Sequence, residues 1–248
     1  MKRSIILLLL LMLTLTASAC SDNNRDMHSD TQSNAGPSAE SVYEESSRDE
    51  KKLLEDSFGA LFSSDEFFIK AGITVESGIL NGEINSYELT VAADKSSQKA
   101  MIEMLMPDGK QARMIVKNNY SYQLEEDGTY KKQLYTEEVD EFVKPYTKEL
   151  YLGVTEPLIY EASGVTEIDP DKDGKTETAD FVKYRLSENE ISSDKGSEVY
   201  ITYYFIDDKP VMEVMEKTGG RTTFIFRELS PKVKDVSVFE TDQGNIQE

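Results

Sequence analysis

The hydrophobic pattern of the chain changes period several times, and its first folded segment has helical spacing. Apolar residues recur three or four positions apart, with Glu and Lys between them: Leu53, Leu54, Phe58, Leu61 and Phe62. This spacing gathers the apolar side chains on one face of a helix. It predicts an amphipathic helix of about four turns that begins near Arg48 and ends at Ser63 and Ser64.

From Glu66 onward the pattern alternates with a period of two, which is typical of β-strands. Strands are predicted near 66–76, 83–93, 97–106, 110–117, 119–125 and 129–135. Turn sequences such as Asn81-Gly82, Asn118-Asn119 and Asp127-Gly128 separate them. Connections this short join antiparallel neighbours, so this part of the chain predicts an antiparallel sheet.

A helical insert is predicted over residues 137–152, with Pro145 expected to kink or split it. The strand pattern then resumes near 156–167, 180–187, 198–206, 210–217 and 221–229. Because there is no repeat and no second block of composition, the sequence predicts a mainly β (α+β) single domain of about 11 strands over residues 48–240. The polar residues 241–248 are expected to form a flexible tail.

Several predicted strands are apolar on both faces, as in Ala100 to Met106 and Val199 to Ile206. A sheet with one solvated face would instead alternate apolar and polar positions. Two explanations fit this pattern: an ordinary filled core, or a cavity for an apolar ligand lined by adaptable methionines. The candidate lining residues of such a cavity are Met104, Met106, Met114, Phe224 and Phe226.

The N-terminus has the pattern of a secretory signal peptide. Lys2 and Arg3 precede an 11-residue apolar run, Ile5 to Leu15, that only Thr14 interrupts. Spanning a bilayer as a helix takes about 20 apolar residues, so this run is too short. Small residues follow at 17–19, and residues 1–19 are therefore predicted to be removed.

The residues around Cys20 resemble the lipobox of bacterial lipoproteins, in which the cysteine after the signal peptide is diacylated. Ala17 departs from the usual Leu of that motif, and an ordinary signal peptide cut after Ala19 is the alternative. Cys20 is the single cysteine of the chain, and lipidation would use its thiol. The resemblance implies a diacylglyceryl-Cys20 anchor on the extracytoplasmic face of a cell membrane, or of an outer membrane if the host has one. The polar residues 20–47 would then be a lipidated, disordered tether.

Charge and residue content exclude several classes of function. The chain carries a net charge of -20, and removal of Lys2 and Arg3 leaves 25 basic against 47 acidic residues, a net charge of -22. So acidic a surface argues against a nucleic-acid partner. The only histidine, His28, lies in the tether, so the folded segment lacks histidine and cysteine. Ser-His and Cys-His nucleophiles and zinc sites of these ligands are therefore excluded, and no enzymatic activity is expected.

An acidic loop between two predicted strands matches the spacing of calcium-binding loops. Asp169, Asp171, Asp173, Lys175 and Asp180 occupy the first, third, fifth, seventh and twelfth positions, with Gly174 at the sixth. The twelfth residue is Asp rather than the usual Glu, and the flanking segments are strands rather than helices. The alternative is a solvated hairpin loop, since Asp, Gly and Lys are common in turns. A calcium ion is thus the one candidate cofactor.

The order of elements resembles the LolA/LolB and LppX/LprG-like proteins, over roughly residues 48–240. The resemblance rests on the element order, the lipoprotein signal and the closing sequences YITYYFIDDKPVMEV and RTTFIFRELSPKVKDVSVFE. It implies a curved antiparallel sheet that forms an incomplete β-barrel, with an N-terminal helix and a helical insert covering its concave side. It also implies a lipid or lipoprotein acyl chain as ligand. The alternative is a non-enzymatic interaction or sensor module with a filled core that binds an envelope protein.

Overall fold

The computed structural model describes residues 53–77, 83–147, 158–186, 198–241 and 246–247. The predicted signal peptide, Cys20, the tether with His28 and the turn Asn81-Gly82 lie outside the described residues. Among the helices in the described ranges, none is both long enough and apolar enough to cross a membrane.

Among the described residues, helical structure occurs in short segments, and two of them lie where the sequence predicts helices. Residues 48–52 of the predicted first helix lie outside the described ranges. The first segment, called α1 here, is a π-helical turn, Glu55–Gly59, followed by an α-helical turn, Ala60–Ser63. The insert contains α2, Val139–Val143, and then a 3-10 turn, Lys144–Tyr146. The α-helix thus gives way to a 3-10 turn next to Pro145, as predicted, because proline cannot donate the backbone hydrogen bond that would continue it. Residues 148–152 of the predicted insert lie outside the described ranges.

All 11 predicted strands are present, with ends within three residues of the predicted ones. They are β1 Glu66–Ser77, β2 Glu83–Asp94, β3 Lys99–Leu105, β4 Gln111–Lys117, β5 Tyr120–Leu124, β6 Tyr130–Leu134, β7 Leu158–Ile168, β8 Glu177–Leu186, β9 Val199–Ile206, β10 Lys209–Lys217 and β11 Gly220–Ser230. Asn118 and Asn119 both have positive φ, at 52° and 63°, in the tight turn between β4 and β5. Two successive residues of this conformation form the turn that suits the twist of a hairpin.

The strands form one sheet of two meanders that meet at its centre. Its order is β12-β6-β5-β4-β3-β2-β1-β11-β10-β9-β8-β7, where β12 is the short strand Ile246–Gln247, and every pair among β1 to β11 is antiparallel. The first meander runs outward from β1, and the second returns to pair β11 with β1. The sheet is curved but open, because β12 and β7 remain as its two edges. The predicted fold class, an incomplete barrel of antiparallel strands, is confirmed.

A short twelfth strand, β12, differs from the expected tail. Ile246–Gln247 pairs in parallel with Tyr130 and Lys131 at the edge strand β6. Ile246 also packs against an apolar cluster that includes Tyr130. Burial of the apolar Ile246 side chain favours this pairing with the sheet. The polar composition of the tail as a whole did not predict the pairing.

The two faces of the sheet have different partners. One face, called the inner face here, carries the largest apolar cluster, and both α1 and α2 pack on it. The central strands contribute alternate residues to this cluster, for example Phe67, Ile69, Ala71 and Ile73 of β1. This period-two contribution is the geometry of a strand with one face on a core. The opposite face is called the outer face.

The C-terminal segment explains why β3 is apolar on both faces. After β11 the chain runs over the outer face, where the 3-10 turn Val236–Phe239 packs Phe239 against Met101 and Ile115. Arg113 Nη2 donates a hydrogen bond of 2.8 Å to the carbonyl oxygen of Val238. Lys117 Nζ lies 2.9 Å from a carboxylate oxygen of Glu240. The apolar residues on the outer side of β3 are therefore covered by the chain's own exit segment.

Candidate functional site

The inner face holds most of the residues predicted to line a cavity. Met104, Phe224 and Phe226 are buried members of the inner cluster, and Met114 is partly buried against it. Met106 follows the end of β3 and is half-buried in the turn that leads to β4, outside this cluster. The structure therefore brings four of the five candidates to one face.

The helical segment α1 packs on the second meander through the aromatic ring of Phe58. Phe58 is fully buried, and its ring centroid lies 6.2 Å from that of Tyr203 and 5.6 Å from that of Phe226. Both contacts are edge-to-face, an arrangement that aromatic quadrupoles favour. Because Tyr203 belongs to β9 and Phe226 to β11, the Phe58 ring spans the strand between them, β10.

The turn between β2 and β3 anchors both helical covers. Lys95 Nζ donates a 2.7 Å hydrogen bond to the carbonyl oxygen of Phe62, near the end of α1. The same ammonium lies 3.1 Å from the carboxylate of Asp140 in α2. Gln98 Oε1 accepts a 3.3 Å hydrogen bond from the backbone N–H of Val139, also in α2. A cation at a helix C-terminus is favourable, so Lys95 stabilises α1 where its last carbonyl groups are free.

A buried carboxyl group lies on the inner face beneath this cover. Glu213 of β10 is fully buried. The strand register places it opposite Tyr203 on one side and Phe224 on the other. Directly opposed residues of antiparallel strands share a face, so Glu213 faces the same aromatic cluster that Phe58 covers. Among the described residues, neither of its carboxyl oxygens has a hydrogen-bond partner.

Burial sets the protonation state of this group. Removal from water raises the pKa of Glu213 well above its ordinary value of 4.5, because the charged form loses hydration that nothing replaces. Burial likewise raises the pKa of the Tyr203 hydroxyl, and the nearby Glu213 raises it further. Glu213 therefore remains a neutral carboxylic acid at pH values where an exposed glutamate is ionised. A neutral acid has one O–H donor and can also accept hydrogen bonds.

Sequence reasoning missed Glu213, although β10 contains a signal. The glutamate stands between Met212 and Val214 in a strand that is otherwise apolar at its centre. Alternation alone assigns such a residue to the solvent side. The register shift between Pro210 and Met212 and the pairing with Tyr203 assign it to the inner face instead. Only the cross-strand register reveals this placement.

The acidic loop is shorter than predicted and folds back over the outer face. β8 begins at Glu177, and Asp180 pairs with Val165 inside the β7–β8 hairpin. Asp180 thus lies three residues into a strand, about 10 Å along it from the loop. Asp171 forms an ion pair with Arg227 of β11, and Lys172 lies 3.6 Å from Glu76 of β1.

The other predicted calcium ligands of this loop have partners within the chain. The carboxylate of Asp169 accepts hydrogen bonds from the backbone N–H groups of Asp173 and Gly174, at 3.1 and 2.8 Å. Lys175 Nζ lies 2.7 Å from the carboxylate of Asp173. Among the described residues, no group of three or more acidic, histidine or cysteine side chains is placed to hold a metal ion. Calcium binding by this loop stays a prediction.

Substitutions at the Asp171–Arg227 ion pair test whether this pair or a calcium ion stabilises the acidic loop. We expect Asp171→Ala to lower the free energy of unfolding by up to about 1 kcal/mol, as is usual for an exposed ion pair. We expect Arg227→Ala to produce a similar loss. If the ion pair alone holds the loop, calcium leaves the melting temperatures of the unsubstituted protein and of both variants unchanged. A calcium-dependent rise in melting temperature that Asp171→Ala abolishes would instead establish the calcium site.

Comparison with known proteins finds similarity of structure only. No protein-family model matches the sequence, and no curated protein is similar to it. The chain is similar to the Mycobacterium tuberculosis lipoprotein LppX, with 12% identity and a TM-score of 0.41 over 75% of this chain and 99% of that one. A LolA superfamily protein from Nitrosomonas europaea shows 10% identity and a TM-score of 0.36 over 78% and 98% of the two chains. A DUF1329 family protein from Desulfovibrio piger shows 8% and 0.31 over 78% and 96%. The similar structures thus include a LolA superfamily protein and LppX, at TM-scores below 0.5.

Proposed function

We propose that this chain is a membrane-anchored, extracytoplasmic lipoprotein that binds an apolar ligand, a lipid or a lipoprotein acyl chain, without enzymatic activity. The observation that carries the proposal is the inner face. Its apolar cluster extends from β4 across the centre of the sheet to β8, and β10 contributes to it only the partly buried Met215. Among the described residues, the short segments α1 and α2 cover it, together with Tyr135 and with Tyr146 of the 3-10 turn that follows α2. When short helical segments cover a wide apolar face, an acyl chain can take the place of part of these segments on that face.

The sequence before the domain supports the cellular part of the proposal. Cys20, after an apolar run and small residues, would carry the acyl groups that hold the chain on a membrane. The polar tether that follows would allow the domain to stand away from the surface. With 47 acidic residues, the chain would be repelled by anionic headgroups, so the anchor rather than the charge would supply membrane binding.

Native mass spectrometry of the mature chain tests ligand binding. The chain from residue 20, with Cys20→Ser so that it carries no attached lipid, is purified without detergent. We expect a second mass at near-stoichiometric level that organic extraction removes and that contains acyl chains. A single ligand-free mass, together with no uptake of a lipophilic fluorescent probe, would contradict the proposal.

An interaction module is the second candidate, and the edge strand β7 favours it. Ile159, Tyr160 and Val165 of β7 are exposed, and β7 is the last strand of the sheet. Exposed strand edges with apolar side chains offer pairing to another chain. In that case the mass spectrum of the purified chain would show no lipid, and charged substitutions at Ile159 and Val165 would abolish binding to an envelope protein.

A further inference from the structure

Glu213 is a buried polar group whose carboxyl has no hydrogen-bond partner in the described part of the chain. A buried donor or acceptor without a partner destabilises the folded state, and folded proteins retain few such groups. Neither carboxyl oxygen has a hydrogen-bond partner among the described residues. The side chain is fully buried on the inner face, between Tyr203 and Phe224. Its retention there calls for a partner that arrives with a ligand.

The surroundings of Glu213 favour a neutral acceptor over a cation. The protonated acid is the form that burial stabilises, and its O–H needs an acceptor. A cationic ligand would have to lose its own hydration and also require the carboxyl to ionise in an apolar setting, which is costly. A carbonyl oxygen that carries apolar chains can accept a hydrogen bond from this O–H without the burial of a charge. The carbonyl of an acyl ester has this chemistry.

The cover above Glu213 is the Phe58 ring, which projects from a π-helical turn. Phe58 contacts Tyr203 on β9 and Phe226 on β11, so its ring lies across the strand that bears Glu213. Phe58 belongs to the π-helical turn Glu55–Gly59, and single π-turns are uncommon and frequent at functional sites. Besides its buried apolar contacts, this end of α1 has an exposed hydrogen bond of 3.3 Å, from Ser57 Oγ to the carbonyl oxygen of Asp208.

We propose that Glu213 is the polar anchor of the ligand site, where its carboxylic acid donates a hydrogen bond to the carbonyl oxygen of an acyl ester that has displaced the Phe58 ring. This inference rests on the proposed function and adds the class of ligand, an acyl ester rather than a hydrocarbon, an ether or a cation. The acyl chains would then lie along the apolar inner face beside Glu213.

Two lipids that differ only at the carbonyl test the proposal. Dipalmitoylglycerol and its dihexadecyl ether analogue are titrated against the mature Cys20→Ser chain with Glu213, Glu213→Gln or Glu213→Met. We expect the protein with Glu213 to bind the ester about tenfold more tightly than the ether, the value of one hydrogen bond in a dry site. Glu213→Gln keeps an N–H donor and should retain the preference, whereas Glu213→Met should bind both lipids equally. Thermal melts of the three proteins confirm that each is folded.

Each remaining outcome overturns the proposal in a recognisable way. If Glu213→Gln loses the preference along with Glu213→Met, a hydrogen-bond donor at this position does not hold the ester, and the proposed anchor is wrong. If all three proteins prefer the ester equally, or none does while both lipids still bind, Glu213 is not the anchor but the proposed function stands. If neither lipid binds to the chain with Glu213, the proposed function itself fails, and this inference fails with it.

Discussion

Phe58→Ala is expected to lower the free energy of unfolding by about 3–5 kcal/mol, the usual cost of removing a buried phenylalanine. Phe58 has no exposed surface and contacts the rings of Phe62, Tyr203 and Phe226. The loss has two parts: the hydrophobic free energy of burying the ring, and the cost of a cavity that the close-packed strands beneath cannot fill. Urea denaturation followed by circular dichroism measures the change, which should appear as a lower midpoint with an unchanged slope.

Leu134→Ala provides the matched control. Leu134 lies in β6 with 60% of its surface exposed, so its truncation should change the free energy of unfolding by no more than about 0.5 kcal/mol. A loss below about 1 kcal/mol for Phe58→Ala would mean that α1 packs loosely on the sheet. The arguments that place α1 over Glu213 would then have no basis.

The strands and turns could be predicted from the sequence because their signals are local. Alternation with a period of two marks β1 to β11, and turn sequences such as Asn118-Asn119 mark where the chain reverses. The break after α2 also follows from one residue, Pro145, whose ring excludes a continued helix. Antiparallel order followed from the short connections within each meander. The resemblance to known families then supplied the curvature.

Contacts between distant parts of the chain could not be predicted in this way. The sequence shows that β3 is apolar on both sides, but not that Phe239 covers Met101 from 138 residues further along the chain. The acidic loop matched a calcium spacing, yet the hairpin register draws Asp180 into β8 and an ion pair directs Asp171 to Arg227. A spacing rule describes ligands along the chain, whereas the sheet register decides which of them meet.

Glu213→Gln is expected to stabilise the protein increasingly as the pH rises. The pKa of Glu213 is raised well above 4.5 in the folded state by burial, so between 4.5 and that higher pKa the folded state holds a proton that the unfolded state releases. Stability conferred by the protonated acid is present below about pH 4.5 and declines by about 1.4 kcal/mol per pH unit as the pH rises through this window. Glutamine binds no proton there and removes the decline. Urea denaturation of both proteins between about pH 5 and pH 8 measures the free energy of unfolding at each pH. The value for Glu213→Gln should exceed that of the unsubstituted protein by an amount that grows as the pH rises.

Glu240→Gln is the control of opposite sign. The pKa of Glu240 is lowered, chiefly by its hydrogen bond with Lys117 at 2.9 Å, so its contribution to stability is present above the ordinary glutamate pKa and is lost as the pH falls. Its replacement should therefore reduce stability at neutral pH and matter less in acid, whereas Glu213→Gln should raise stability at neutral pH and matter less in acid. Parallel curves for the protein with Glu213 and for Glu213→Gln would show that this carboxyl reaches water or a partner in the folded state. The neutral donor that we assign to the inner face would then be absent, because a group that titrates alike in both states is not held protonated by burial.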